Sequence, residues 1–252
     1  MNIALKRTIF LTILIGIWAV IYKLRIWPEF LFPAPWAVVE TLIKGFGDQT
    51  LIWALLSSFK RLLLGYCIAL FLGITLGILV AKVKLVEETF GFLVLGLQTV
   101  PSVVWLPLAL LWFGIGDGAI IFVVALGATW TMILSTHSGV KNIQPLLLRA
   151  ARTMGAGGIV LFWHVILPAI VPSIITGMRL AWAFSWRALI AGELVGSGAG
   201  LGQVLMLGRS LGDMGLVLSV MLIIAALGII LDNVVFRRIE QDVLLKWGLV
   251  TS

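Results

Sequence analysis

The sequence predicts an all-α, polytopic membrane protein with six transmembrane helices. Of its 252 residues, 61% are hydrophobic and 12% are charged, against about 45–50% and about 25% in an ordinary soluble domain. So few charges cannot cover the surface of a water-soluble fold. Long runs without any charge recur along the chain, and most Lys and Arg residues flank them. The net charge of +7 therefore indicates contact with lipid headgroups and no nucleic-acid partner.

Charge-free runs locate the predicted spans, each near the 20 or so apolar residues needed to cross the hydrocarbon core. They cover about residues 8–24, 62–81, 90–112, 118–140, 165–188 and 214–235 of a single transmembrane domain, 1–252. The first follows Lys6-Arg7 without a small-x-small cleavage site, so we expect an uncleaved anchor. Gly73 and Gly77 in the second predict a close packing face. Pro101 and Pro107 in the third predict either a packing kink or an opened cavity.

Two segments between the spans have patterns of their own. Residues 35–47 place Trp36, Val39, Ile43 and Phe46 at three- and four-residue spacings, which predicts an amphipathic helix along the outer interface. The Gly-rich stretch 192–215 predicts a re-entrant or broken element, which is tolerated only where protein or water surrounds the backbone.

The distribution of positive charge predicts that both termini are cytoplasmic. One side of the predicted topology carries ten Lys and Arg residues and the other six, of which five lie in the long segment 23–61. Cytoplasmic loops carry the excess of positive charge. The loop 141–164 then also lies in the cytoplasm.

No catalytic or metal-binding set is present. The sequence has no GxSxG, no HExxH and no paired carboxylates beside a His. Cys67 is the single cysteine, and His137 and His164 have no further ligand at metal spacing, so we interpret them as polar residues at the membrane interface. The stretch 202–210 lacks the spacing and the Gly-Lys pair of a phosphate-binding loop. We expect no enzyme and no resident cofactor, and any nucleotide would be bound by another chain.

Polar residues near the fifth span suggest a route for a polar solute. Arg179 and Arg187 are eight residues apart, about 80° around a helix, so one broad face can hold both. An Arg at mid-membrane costs about 2.5–3.5 kcal/mol on insertion scales and should face the bundle interior or water. The alternative is that these arginines pair with Glu193, Asp213 or helix carbonyls and serve assembly only. The predicted pathway set is Gln98, Ser102, Arg179, Trp182, Trp186, Arg187 and Glu193.

The loop "NIQPLLLRAARTMGAGGIVLFWHVILP" (142–168) predicts a helix–turn–helix on the cytoplasmic face. Asn142 is a possible cap and Pro145 lies near the first turn. Gly155 supplies a left-handed stop, and a second short helix from about Ile159 reaches Leu167-Pro168, where the fifth span begins. The small Ala150 and Ala151 would form a flat patch for a partner, flanked by two arginines.

These residues resemble the signature loop of ABC-importer permeases: Glu-Ala-Ala, three residues, Gly, nine residues, an aliphatic, any residue, Leu-Pro. Six positions are in register: Ala150, Ala151, Gly155, Val165, Leu167 and Pro168. The sequence departs from the pattern at Arg149, where the family has Glu. The stretches "LFPAPWAVVETL", "PLALLWFGIGDGAIIFVVALGA" and "GELVGSGAGLGQVL" are similar to the nitrate/sulfonate/taurine branch, which includes bicarbonate and pyrimidine-precursor permeases.

The resemblance implies a multi-pass inner-membrane permease that works as a dimer, usually of identical copies. Two ATPase subunits, carrying ATP and Mg²⁺, would dock on a coupling loop of Arg149, Ala150, Ala151, Arg152, Gly155, Leu167 and Pro168. An extracytoplasmic binding protein would deliver the substrate. We expect a small sulfonate- or nitrate-type anion; a pyrimidine-type or other vitamin-precursor cargo is one alternative. A secondary transporter or channel using the intramembrane Arg and Glu residues is another.

Overall fold

The computed structural model describes residues 3–196 and 198–246, and that part of the chain is helical without strands. The helices are α1 (Ile3–Lys23), α2 (Pro35–Gly47), α3 (Thr50–Lys82), α4 (Lys84–Gln98), α5 (Ser102–Phe113), α6 (Asp117–Lys141), α7 (Pro145–Thr153), α8 (Gly158–Val195), α9 (Leu201–Leu211) and α10 (Met214–Val243). Helical backbone continues beyond α10 to Lys246.

Five helices among the described residues are long and apolar enough to cross a membrane, and α4 with α5 would make a sixth as one bent span. The all-α, multi-span prediction is thereby confirmed, and a total of six spans counts the bent α4–α5 pair as one. Several helices are longer than the charge-free runs. α3 begins twelve residues before the predicted span and includes Lys60 and Arg61, so the prediction that these two cations lie in an outer loop was wrong.

The described chain divides into two compact units. The first comprises Met1–Ser58 and Gly198–Ala226. Within it, α2 buries Val38 and leaves Trp36, Val39 and Ile43 exposed, so the predicted amphipathic segment is a helix with one apolar outer face. The Ser219 hydroxyl donates to the Val38 carbonyl at 3.1 Å, which attaches this helix to α10. The Gly-rich stretch 192–215 contains α9, whose Leu201 N–H donates to the Ser58 hydroxyl at 2.8 Å.

The second unit comprises Phe59–Ser197 and Leu227–Ser252, and α6 is its central helix. Just over half of the apolar window of α6 is buried, against a sixth of that of α8. α8 packs along α6 over most of its length. α6 therefore forms the core of this unit, and one face of α8 remains free for other contacts.

Small residues allow close approach to α6. A Cβ atom built on Gly77 would lie 2.6 Å from the Thr136 Cβ, and one on Gly73 would collide with Met132. Gly65, about two helical turns before Gly73, makes the same kind of close contact with Val124. In lipid, helix association depends on van der Waals packing between closely spaced backbones. The predicted Gly73–Gly77 packing face is confirmed, and α6 is its partner.

Candidate functional site

A sharp bend between α4 and α5 lies beside a cavity of about 400 Å³. The two helices meet at 99°. Pro101 is extended at the break (φ −55°, ψ 133°), and it has no N–H to continue the helical ladder. The sequence left a kink and a cavity as alternatives at this position, and the structure contains both. Pro107 lies in the first turn of the resumed α-helix, where proline is tolerated.

Gly127 of α6 holds the bend close to the helix pair. A Cβ on Gly127 would be 2.9 Å from the Ser102 Cβ and 3.5 Å from the Ala188 Cβ. The missing side chain lets Ser102 pack between α6 and α8. The cavity is thereby bounded by three elements: the 98–103 bend, α6 and α8.

The cavity lining brings together three residues of the predicted pathway set: Gln98, Ser102 and Arg187. Trp130 also lines it, and the indole Nε1 is buried with no hydrogen-bond partner. No carboxylate is among the lining residues. The polar side chains at this wall can all donate hydrogen bonds, so its chemistry suits an acceptor-rich, negatively charged solute.

Arg187 and Arg179 have different surroundings. Arg179 donates to both carboxylate oxygens of Asp232, at 2.5 and 2.6 Å, and to Glu240 at 3.0 Å. Among the described residues Arg187 forms no ion pair, and its guanidinium lies 5.3 Å from the Phe184 ring centroid. The expectation that one face presents both arginines to a common route was wrong within a single chain, because Arg179 is turned to α10.

Glu193 is fully buried in an ion-pair cluster that joins three helices. Arg61 of α3 donates to the Glu193 carboxylate at 2.8 Å and to Asp117 of α6 at 2.7 Å. The Arg61 side chain is 5% exposed and that of Glu193 0%. Sequence reasoning missed Arg61 and Asp117 as members of this cluster. As one alternative, the sequence paired Arg179 and Arg187 with Glu193, Asp213 or helix carbonyls. The observed ion pair of Glu193 is with Arg61. The available signal was that Arg61 and Asp117, which have opposite charge, each directly precede a charge-free run.

Trp182 and Trp186 lie inside an aromatic cluster away from the cavity lining. Each is 7% exposed. Their rings meet edge to face at 6.1 Å, and the Trp182 ring contacts Tyr66 at 5.1 Å and Phe236 at 5.8 Å. In the single chain their observed contacts are those of packing residues.

The two histidines make local contacts. His137 Nε2 lies 3.2 Å from a Glu87 carboxylate oxygen, whose other oxygen accepts from Lys141 at 2.6 Å. His164 Nδ1 lies 3.2 Å from the Val160 carbonyl. The described residues contain no group of three potential metal ligands.

The predicted coupling loop contains the short helix α7, which presents an apolar and basic surface. Leu146 is 75% and Met154 81% exposed. Arg149 and Arg152 are exposed without an ion pair among the described residues, and residues 141–164 include no acidic residue. Exposed apolar groups of this size indicate an interaction surface.

Only one of the two alanines faces outward. Ala150 is exposed, whereas Ala151 is 3% exposed. α7 contacts the Phe162–Ile166 turn of α8. The expectation that both alanines form a flat partner-facing patch was therefore wrong: Ala151 packs within the chain, and its small size lets α7 lie close to the rest of the loop.

Gly155 ends α7 in a Schellman motif. Its φ is +86°, its N–H donates to the Arg152 carbonyl at 3.0 Å, and the Ala156 N–H donates to the Ala151 carbonyl at 3.0 Å. This pair of bonds satisfies carbonyls that a helix end leaves open. The predicted left-handed stop is confirmed. The cap prediction was wrong: Gln144 holds the N-cap position, and Asn142 follows the last residue of α6.

The regular α-helical part of α8 begins at Leu167, with Pro168 in its first turn. α8 begins at Gly158 and passes through a π-helical turn at Phe162–Ile166 directly before them. A wide turn there accommodates Pro168, which has no N–H to donate and would crowd the carbonyl four residues earlier. The long helix α8 therefore begins seven residues before the predicted start of the fifth span at residue 165.

The sequence and fold match a known class of membrane proteins. Residues 73–243 match the family model of the binding-protein-dependent transport system inner membrane component. The chain belongs to this family, and it is an ABC-importer permease.

Similar proteins support that assignment. The chain is 30% identical to the taurine transport system permease protein TauC of Escherichia coli, over 88% of this chain and 82% of TauC. It is 33% identical to the nitrate import permease protein NrtB of Leptolyngbya laminosa, over 79% and 71%. A solved inward-facing MetNI methionine ABC transporter shares the fold, with a TM-score of 0.68 at 20% identity over 77% of this chain and 96% of that one.

Proposed function

We propose that this permease imports a small oxyanion of the sulfonate or nitrate class, delivered by an extracytoplasmic binding protein. The relatives named for taurine and nitrate transport support the substrate class. Arg187, which lines the α4–α5 cavity and forms no ion pair among the described residues, supports it from the chain's own chemistry.

We further propose that two copies of the chain form the membrane-spanning pair and that an ATPase subunit docks on the coupling loop of each. One observation carries this proposal: α7 exposes Leu146 and Ala150, the following residue Met154 is also exposed, and the two arginines of the helix have no acidic neighbour in the loop. A water-facing helix has no reason to expose such large apolar groups unless a partner covers them. ATP and Mg²⁺ then belong to the ATPase subunits.

The coupling loop and both termini are assigned to the cytoplasm. The ten-to-six excess of Lys and Arg on that side supports this orientation. Arg61, counted on the other side, is held in an intramolecular ion pair, which strengthens the asymmetry of the remaining charges.

Transport by the reconstituted complex tests the proposal. The permease, its ATPase and its binding protein would be placed in proteoliposomes and supplied with labelled taurine, nitrate or a neutral pyrimidine. We expect ATP-dependent uptake of nitrate or of taurine, a zwitterion that carries the sulfonate group. Uptake driven by an ion gradient without ATP would favour the secondary-transporter alternative, and uptake of the pyrimidine alone would overturn the substrate class.

Docking is tested separately. Ala150→Trp places a large ring on the exposed face of α7 and should abolish co-purification of the ATPase subunit. Arg238→Trp, at an exposed position of α10 outside the coupling loop, is the matched control and should leave co-purification unchanged. Full ATPase binding by the Ala150→Trp protein would contradict the docking assignment.

A further inference from the structure

The structure assigns a specific anion-binding subsite to the cavity at the α4–α5 bend. This inference rests on the proposed function and deepens it, because it names the residues that hold the oxyanion within the permease itself. Its ligand is a compact oxyanion group such as a sulfonate or nitrate.

The charge of the cavity is the first argument. Arg187 of α8 lines it and forms no ion pair among the described residues, whereas the other arginines deep in their helices, Arg61 and Arg179, each contact two carboxylates. An uncompensated guanidinium in a membrane-spanning helix is costly. A bound anion would supply the missing counter-charge.

The donor set of the wall is the second argument. Trp130, Ser102 and Gln98, whose side chains carry an indole N–H, a hydroxyl and an amide, line the same cavity as Arg187. None of these side chains has a hydrogen-bond partner within the described chain. Trp130 Nε1 is buried, as are the unpartnered indole nitrogens of Trp105, Trp182 and Trp186, which do not line the cavity. An indole can only donate, and a buried donor without an acceptor carries a desolvation penalty. An oxyanion, with several acceptor oxygens and no donor, matches this wall.

The position of the subsite is the third argument. The cavity opens where the helical backbone is interrupted, between Gln98 and Ser102, and an interrupted span is tolerated where it lines a cavity. Gly127 fixes Ser102 against α6 and α8. The volume of about 400 Å³ is at the small end of ligand pockets, which suits a compact solute.

Cysteine accessibility tests this subsite without depending on transport. Cys67 is the single cysteine of this chain, so Cys67→Ser leaves the permease without a thiol, and Gln98→Cys then places one thiol per permease copy in the cavity lining. Labelling is measured on the separated permease chain, so cysteines of the other subunits do not contribute. In the purified complex, this thiol should react at least several-fold faster with an anionic methanethiosulfonate reagent than with a cationic one. Nitrate and taurine should slow the anionic reagent.

Removing the charge should remove both effects. Adding Arg187→Gln is expected to abolish the preference for the anionic reagent and the protection by nitrate, whereas Arg238→Gln, which removes an equal charge elsewhere, should change neither. Trp130→Phe keeps the ring and removes only the N–H. It should weaken nitrate protection by about tenfold, the scale of one hydrogen bond to a charged group. Equal reactivity toward both reagents in the Arg187-containing protein, or protection that survives Arg187→Gln, would overturn the subsite.

Two further arms separate the possible outcomes. In vesicles of phosphatidylcholine alone, protection of the introduced thiol should require added nitrate or taurine. If protection instead rises with the content of anionic phospholipid, the cavity binds a lipid phosphate and the solute subsite is overturned. Uptake then separates this inference from the proposed function. Failure of the proposed function appears as no oxyanion uptake by the unaltered complex, whereas failure of the subsite appears as an unchanged half-saturating concentration in Arg187→Gln.

Discussion

Replacing Glu193 with Gln should destabilise the second unit, because Arg61 would keep its charge in a buried site and lose its best-buried partner. The Arg61 side chain is 5% exposed, and its bond to Glu193 is 2.8 Å long. Breaking a buried ion pair by removing one partner costs about 3–5 kcal/mol. Asp117 still contacts the guanidinium at 2.7 Å, so we expect the lower end of that range, about 3 kcal/mol.

The assay is thermal unfolding of the purified permease complex. For a chain of this size, 1 kcal/mol corresponds to roughly 2–4 °C in the midpoint, so Glu193→Gln should lower it by about 6–12 °C. Asp117→Asn is the matched comparison. Its side chain is 51% exposed, and an exposed ion pair contributes only about 0–1 kcal/mol, so its midpoint should change by a few degrees at most.

The double variant Arg61→Met with Glu193→Leu separates loss of a pair from loss of a residue. Replacing both members of a buried pair by apolar residues of similar volume is often neutral or stabilising, so this protein should recover most of the lost midpoint. An unchanged midpoint in Glu193→Gln, combined with a raised half-saturating substrate concentration, would refute this reasoning and support the pathway role of Glu193.

Three further predictions concern glycines and the second arginine cluster. Gly155→Ala should cost about 1–2 kcal/mol locally, because the residue has a left-handed backbone, and should reduce co-purification of the ATPase. The control Gly157→Ala, at φ −139° with open space around it, should leave co-purification unchanged. Equal losses of co-purification in both variants would contradict the Schellman argument. Gly73→Leu should lower the melting midpoint by several degrees or prevent assembly, since overpacking costs about 1–3 kcal/mol; Gly16→Leu, on the open face of α1, is the control. Arg179→Gln should lower the melting midpoint modestly, because its ion pairs are partly exposed, and leave the half-saturating oxyanion concentration unchanged; a large rise in that concentration would place Arg179 on the solute route.

The sequence predicted the number of spans well and their ends poorly, and the same physics explains both results. Charge-free runs mark the lipid-crossing parts because exposed charges are excluded there. That rule ends a span at the first charge, so α3 was cut at Leu62 although the helix passes through Arg61. The rule cannot recognise a charge that is neutralised by a residue far away in the sequence. Asp117, at the start of α6, is such a partner, 56 positions from Arg61.

The candidate site was only partly predictable for a similar reason. Pro101 and Gly155 act through their own backbone restrictions, so a single sequence reveals the bend and the helix stop. The direction of a long side chain depends on its neighbours in space. Arg179 and Arg187 are equivalent in the sequence pattern, and only the packing of α10 shows that the first is neutralised. Likewise, the burial of Ala151 and exposure of Ala150 depend on how α7 lies on the loop.

The contrast between these arginines bears on how the permease can be stable and still carry a positively charged route. Arg61 and Arg179 each face two carboxylates, and their clusters join helices of the second unit. Those charges serve assembly and contribute little net field to a passing solute. Arg187 has no such counter-charge within the described chain, and beside it the Trp130 N–H lacks an acceptor. The attraction between the cavity and an anion must be strong enough to favour entry and weak enough to permit release. A single arginine with neutral donors meets both conditions better than a row of arginines. The ion pairs of Arg61 and Arg179 therefore stabilise the helix bundle, and Arg187 provides a weak binding site of one charge for an anion.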